Sequence, residues 1–150
     1  MVWCVFRFNG STGSSLTGID VSRVERLLAE INEALVVMND LLGVGEEEFL
    51  SDAKSIYAIK YAVVKIVEAA TIVGFHILES LYGLSAETYS DVFKWLGERG
   101  VVSNTVSRGF VRLVGLRNLI VHRYWDVDDL RVYREAKGNG LATVKRFIEE

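Results

Sequence analysis

The stretch at 52–82 constrains this chain most. It contains no proline, and over 61–81 its apolar residues run nearly all the way round a 3.6-residue helix. A helix without a polar face has to be covered on more than one side, by its own domain's core and by a second subunit. None of the 150 residues is proline, which long helices tolerate and loop-rich all-β folds rarely show. A length of 150 residues allows one domain with one sizeable core. Glu68 lies in the middle of this apolar helix. A carboxylate there needs a partner, so it pairs, binds something or faces a cleft.

The other helices read out from punctuation. Ser22 and Glu25 form a capping box that starts a first helix, followed by Val24, Leu27, Leu28, Ile31, Leu35, Met38 and Leu42 at three- and four-residue steps, with Gly43 and Gly45 as its stop. A short helix is expected over 86–97. Ser103 offers an N-cap for a fourth over 104–122, and Asp126 and Asp128 could each cap a fifth. Gly138-Asn139-Gly140 should break or kink that last element before residues 141–150 resume it. The pattern is all-α, an up-and-down bundle of four to five helices with no internal repeat. The Gly/Ser/Thr-rich run at 9–20 reads as a linker, so residues 1–20 form an N-terminal appendage without chemistry of its own and 21–150 form the domain.

Composition excludes several functions. The net charge of −3 argues against a uniformly basic nucleic-acid coat, leaving only a local basic patch. One cysteine and two histidines exclude a disulfide framework, a Cys-rich zinc site and a multi-His metal centre. The apolar run at 1–8 lacks a charged leader and is too short to span a bilayer, and no later window approaches ~18 uncharged apolar residues. The chain reads as soluble and cytoplasmic, with no membrane contact.

The chemistry concentrates at 115–126, where Arg117, Asn118, His122, Arg123, Tyr124 and Asp126 close an otherwise apolar helix. At about 100° per residue, Asn118 and His122 share a face, as do Arg117 and Tyr124, whereas Arg117 and His122 stand about 140° apart and meet only where the helix end loosens. Histidine exchanges a proton near neutral pH, and arginine grips phosphate oxygens in a bidentate fork. Together they suit metal-free phosphodiester cleavage in RNA. His122 would act on the ribose 2′-hydroxyl or the leaving oxygen, Arg117 would stabilise charge on the phosphoryl oxygens, and a 2′,3′-cyclic phosphate would result. The competing reading is structural: Arg117 bonded to Asp126, His122 a satisfied core histidine, and Tyr61, Trp95 and Trp125 core aromatics rather than stacking platforms.

The octet Arg117-Asn118-Leu119-Ile120-Val121-His122-Arg123-Tyr124 resembles the Arg-x4-6-His signature of the HEPN ribonuclease superfamily, in the Arg-x4-His-x-Tyr form of the HepT-like toxins. Tyr89, Phe93, Leu96 and Gly100 match the Tyr-x3-Phe-x2-Leu-x3-Gly pattern that precedes it in such proteins. The resemblance covers residues 22–150. It implies a HEPN-like bundle, a homodimer with two Arg-His pairs across a positively lined cleft, and a metal-independent endoribonuclease toxin acting on tRNA or mRNA without a cofactor. It also implies neutralisation by an MNT-type minimal nucleotidyltransferase antitoxin that transfers AMP to Tyr124. Arg117 and His122 would be catalytic, Asn118 and Glu68 supporting, and Arg112 and Arg123 part of the RNA-binding patch. HEPN domains also occur as non-catalytic nucleotide- or partner-binding dimers beside nucleotidyltransferases, which is the alternative class.

Overall fold

The computed structural model describes residues 19–149. The expected appendage at 1–20 therefore lies almost wholly outside the described residues. Seven α-helices follow one another among those residues: α1 (Val21–Leu41), α2 (Glu46–Leu50), α3 (Ala53–Tyr82), α4 (Tyr89–Glu98), α5 (Asn104–His122), α6 (Asp129–Glu135) and α7 (Leu141–Glu149). A 3-10 turn at Tyr124–Asp126 joins α5 to α6, and a π-helical turn at Ala136–Gly140 joins α6 to α7. No strand occurs among the described residues.

Local chemistry explains most of the boundaries. The Asp52 carboxylate accepts the Lys54 N–H at 3.1 Å to open α3. Gly83 closes it at φ 63°, a left-handed conformation that a side chain disfavours, with the Leu84 N–H reaching back to the Leu78 carbonyl. Thr88, Ser103 and Asp128 cap α4, α5 and α6. The first helix departs from expectation. Its cap is Asp20, whose carboxylate accepts the Arg23 N–H at 3.0 Å, and Ser22 already lies within the first turn. The Asp20 N–H donates to His76 Nε2 at 2.9 Å, so α3 itself holds the start of α1 in place. A tertiary contact thus selects the upstream cap. The short helix expected from residue 86 begins three residues later because Thr88 supplies its cap.

The glycines at 138 and 140 do not break the chain. The helix widens by one π turn instead, and Asn139 fills the irregularity, donating to the Gly109 carbonyl and accepting from Thr143 Oγ1, both at 3.1 Å.

Helix α3 is the centre of the bundle: α1 and α4 to α6 all pack on it. Its core side includes Ile59, Val63, Ile66, Val67, Ala70, Val73 and Ile77. Length and composition alone would let α3 cross a membrane, but 61% of its most apolar window is buried inside the fold, as in a core helix. Gly74 lets α4 come close: a Cβ there would run into Val92 Cγ1 and stand 3.1 Å from Leu96 Cδ1. Beyond α4, Phe93 stacks on Phe110 with centroids 4.5 Å apart, and Phe110 meets Phe147 at 4.8 Å, tying α4, α5 and α7 together. Lys60 pairs with Asp129 at 2.6 Å, fastening the start of α6 to α3.

Two aromatics expected in the core are not there. Tyr61 is 69% and Trp125 71% exposed, because Tyr61 falls on the α3 face that the described helices leave open and Trp125 falls in a surface turn, while Trp95 packs half-buried against the core.

Replacing Phe110 by Ala empties the centre of the aromatic trio and should cost about 3–5 kcal/mol of unfolding free energy. Chemical denaturation measures this directly, and a loss below about 1 kcal/mol would mean that other contacts join α4, α5 and α7.

Candidate active site

The site lies where α3, α4 and α5 converge. The penultimate turn of α5 carries Arg117 and Asn118, the middle of α3 carries Glu68, and the first residue of α4 is Tyr89. Arg117 Nη2 stands 2.6 Å from Glu68 Oε1. The Tyr89 hydroxyl donates to Glu68 Oε2 at 2.8 Å. The Arg117 guanidinium carbon lies 4.8 Å from the Tyr89 ring centroid, in cation–π range, and Nη1 donates to Asn118 Oδ1 at 3.0 Å. The Arg117 side chain retains only 15% exposure. The arginine depends on the carboxylate more than the reverse, since the Glu68 side chain keeps 36% exposure and losing it would leave the sheltered Arg117 charge without a counter-ion.

Glu68 thus meets two of its sequence-stated options at once. It pairs with Arg117, and it also lines an open cleft of about 450 Å³ with Leu27, Glu30, Tyr61, Lys65 and Ile72. Arg117 does not bond Asp126. That carboxylate takes Arg123 instead, at 2.8 Å.

The helix stays regular through His122, its last residue, and Arg123 leaves it at φ −133° while its N–H still reaches the Leu119 carbonyl. His122 is exposed, and its imidazole makes no hydrogen bond or ion pair to another described residue, so it is not a satisfied core histidine. Tyr124 sits beyond the helix in the 3-10 turn, so the expected sharing of a helical face with Arg117 does not hold: the helix ends two residues before it, and the 3.6-residue period does not reach it. The Arg123–Asp126 pair closes that turn and projects Tyr124 and Trp125 outward, 73% and 71% exposed, their rings edge to face at 5.3 Å. The structure therefore gathers Arg117, Asn118 and Glu68. It leaves His122 and Tyr124 on the adjoining surface, Arg123 neutralised by Asp126, and Arg112 over a separate small cleft with Glu135 and Asn139. Among the described residues no group of three or more His, Cys, Asp or Glu side chains converges in a metal-binding arrangement.

Residues 31–150 match the family model described as "Ribonuclease HepT-like". The chain belongs to the HepT-like ribonuclease family. No curated protein matches it. Among solved structures, this HepT-like chain is similar to a tri-AMPylated HEPN toxin from Shewanella oneidensis in complex with its MNT antitoxin, at 20% identity and TM-score 0.76, over 85% of this chain and 94% of that one. It is also similar to a toxin–antitoxin structure with AMP-PNP, at 20% identity and TM-score 0.75 over 85% and 95%. YutE, a cytosolic protein of unknown function from Bacillus subtilis, matches at 17% identity and TM-score 0.75 over 87% of both chains. At these identities the likeness is one of fold, and the fold is that of the HEPN toxins.

Tyr89 is the member of this HepT-like site that residue chemistry alone did not single out. It stood at the head of a recognisable pattern, but its contact with Glu68 joins residues 21 apart on different helices. The hydrogen bond to Glu68, then burial, then the Glu68 charge push the Tyr89 phenol above its ordinary value, with Arg117 opposing. The sign follows: what this bond contributes to stability is fully present below the ordinary phenol value of about 10 and is lost as pH rises through the raised one. Ultraviolet titration of phenolate, as the difference between wild type and Tyr89→Phe, should place Tyr89 above an ordinary tyrosine, and Glu68→Ala should bring it down. A difference spectrum that ignores Glu68→Ala would contradict the bond.

Proposed function

We propose that this protein is a metal-independent endoribonuclease toxin of a toxin–antitoxin pair, acting in the cytoplasm on tRNA or mRNA as a homodimer, with residues 21–150 as the functional unit and no cofactor. The observation that carries this reading is an intact Arg117-Asn118-x3-His122 set on the terminal turns of α5 in a HepT-like ribonuclease. A scaffold has no need of an exposed histidine one turn beyond an arginine held by a carboxylate from another helix.

In the proposed reaction a ribose 2′-hydroxyl loses its proton as its oxygen bonds to phosphorus. The bond to the 5′-oxygen breaks, and that oxygen takes a proton as it leaves, His122 serving at either the 2′-hydroxyl or this leaving oxygen and water at the other. The products are a 2′,3′-cyclic phosphate and a 5′-hydroxyl. Arg117 offsets the charge that builds on the non-bridging oxygens, and Asn118 steadies the guanidinium. The net charge is −3, Arg123 is paired with Asp126, and Arg112 lies over a separate cleft. RNA binding therefore rests on local charge doubled by a two-fold axis and on Arg123 exchanging its carboxylate for a phosphate, so it should weaken with salt. Trp125, exposed three residues beyond His122, offers a stacking face to a nucleobase.

Control is assigned to an MNT-type nucleotidyltransferase antitoxin. The Tyr124 hydroxyl, on an exposed ring, would attack the α-phosphorus of ATP, lose its proton and expel pyrophosphate. The adenylate then places bulk and negative charge beside His122, where an RNA phosphate would otherwise approach. The structural neighbours described as a tri-AMPylated toxin with MNT antitoxin and as a toxin–antitoxin structure with AMP-PNP support this assignment.

In EDTA, the wild-type protein should cut tRNA or mRNA and leave cyclic phosphate ends, while His122→Ala and Arg117→Ala each lose at least about a hundredfold in rate. Equal silence from folded, unmodified wild type and variants would favour the non-catalytic binding dimer. Incubation with an MNT nucleotidyltransferase and ATP should add adenylate to wild type and not to Tyr124→Phe, read by intact mass. Adenylate on Tyr124→Phe, or full cleavage by the Tyr124-modified protein, would remove the switch.

A further inference from the structure

Arg117 is a long side chain with many rotamers, and a phosphate-binding arginine is useful only when its fork points at the phosphate. Something has to hold it. We propose that Tyr89 is a positioning residue for Arg117: its hydroxyl fixes the Glu68 carboxylate and its ring face supports the guanidinium, presenting the arginine to a phosphodiester in one plane. This deepens the ribonuclease reading and rests on it.

Tyr89 touches the pair at two separate points. The hydroxyl donates to Glu68 Oε2 at 2.8 Å, leaving Oε1 to the arginine at 2.6 Å. The ring lies under the guanidinium at 4.8 Å. One contact fixes the carboxylate and the other the plane of the cation, so the three groups brace one another. The anchor for Tyr89 is firm: it opens α4 directly after its Thr88 cap, and α4 is pressed onto α3 through Val92 at Gly74, less than two turns along from Glu68.

The brace leaves the arginine able to act. A guanidinium has five N–H donors, of which Glu68 and Asn118 engage Nη2 and Nη1. Nε is buried and has no acceptor among the described residues. The donors left to a further anion are the second hydrogens of Nη1 and Nη2, since each nitrogen carries two and the contacts to Asn118 and Glu68 take one apiece. The raised phenol keeps Tyr89 protonated, and so a donor to Glu68, at neutral pH.

The test uses the full chain with Tyr89→Phe, which keeps the ring and loses the hydroxyl, and Tyr89→Leu, which loses both. Three readouts are taken: kcat and KM for RNA cleavage, rotation of the Arg117 guanidinium about Nε–Cζ by nitrogen NMR, and the denaturation midpoint to establish that each variant is folded. Tyr89→Leu should lower kcat about a hundredfold and Tyr89→Phe about tenfold, with KM within about twofold of wild type. Guanidinium rotation should quicken in the same order, with leucine ahead of phenylalanine. Unchanged rotation in the folded variants overturns the proposal, whatever happens to kcat. So does unchanged kcat where rotation has quickened. If wild type cuts no RNA, the ribonuclease reading fails, and the NMR comparison alone still decides whether Tyr89 orients Arg117. Should Tyr89→Leu fail to fold, Tyr89→Phe carries the decision.

Discussion

The whole bundle follows from the need to cover α3. Thirty residues of helix with apolar side chains on nearly every side lose free energy for each face left in water, at roughly 25 cal/mol per Å² of apolar surface. Every other arrangement answers that demand. Helix α1 lies along one side and is pinned at its start by His76. Helix α4 comes close enough that only a glycine fits at position 74. Helix α5 closes a third side and is backed in turn by α7 through Phe110 and Phe147. The open side, with Tyr57, Tyr61 and Ile72, is what the described helices do not cover.

Into this apolar helix the chain places one mid-helix carboxylate, and the site is built around it. Glu68 draws Arg117 from α5 and Tyr89 from α4, so the three helices that meet on α3 also meet in charge. Packing and chemistry are thereby joined. The same α3–α4 approach that seats Val92 on Gly74 carries Tyr89 to the carboxylate, and the carboxylate holds the arginine. The second half of the site obeys a different rule. His122 and Tyr124 stand where helical hydrogen bonding runs out, on exposed surface, with the Arg123–Asp126 pair and the Lys60–Asp129 anchor holding the turn. The sheltered arginine is held by its neighbours, while the histidine and tyrosine at the end of the helix stay accessible to solvent.

The sequence by itself determined the all-α class, the Ser103 and Asp128 helix caps, the extent of α3 and α5, and the octet that marks a HepT-like ribonuclease. These are local properties. Hydrophobic period, a carboxylate or hydroxyl before a helix, and a left-handed glycine after one act over a few residues and need no knowledge of the rest of the chain. Tertiary structure decided what depends on residues far apart. It chose Asp20 over Ser22 as the first cap, because His76 holds the Asp20 N–H from 56 residues away. It gave Glu68 to Arg117, Asp126 to Arg123 and Tyr89 to Glu68, pairings among chemically equivalent candidates that only the crossing of α3, α4 and α5 could settle. It widened the helix at Asn139 instead of breaking it, because the Gly109 carbonyl and Thr143 were there to satisfy the extra turn. It also turned Tyr124 and Trp125 out of helical register, since no sequence period survives the last hydrogen bond of a helix. Charges and hydrogen-bonding groups choose partners by position in space, and position in space is what a linear reading lacks.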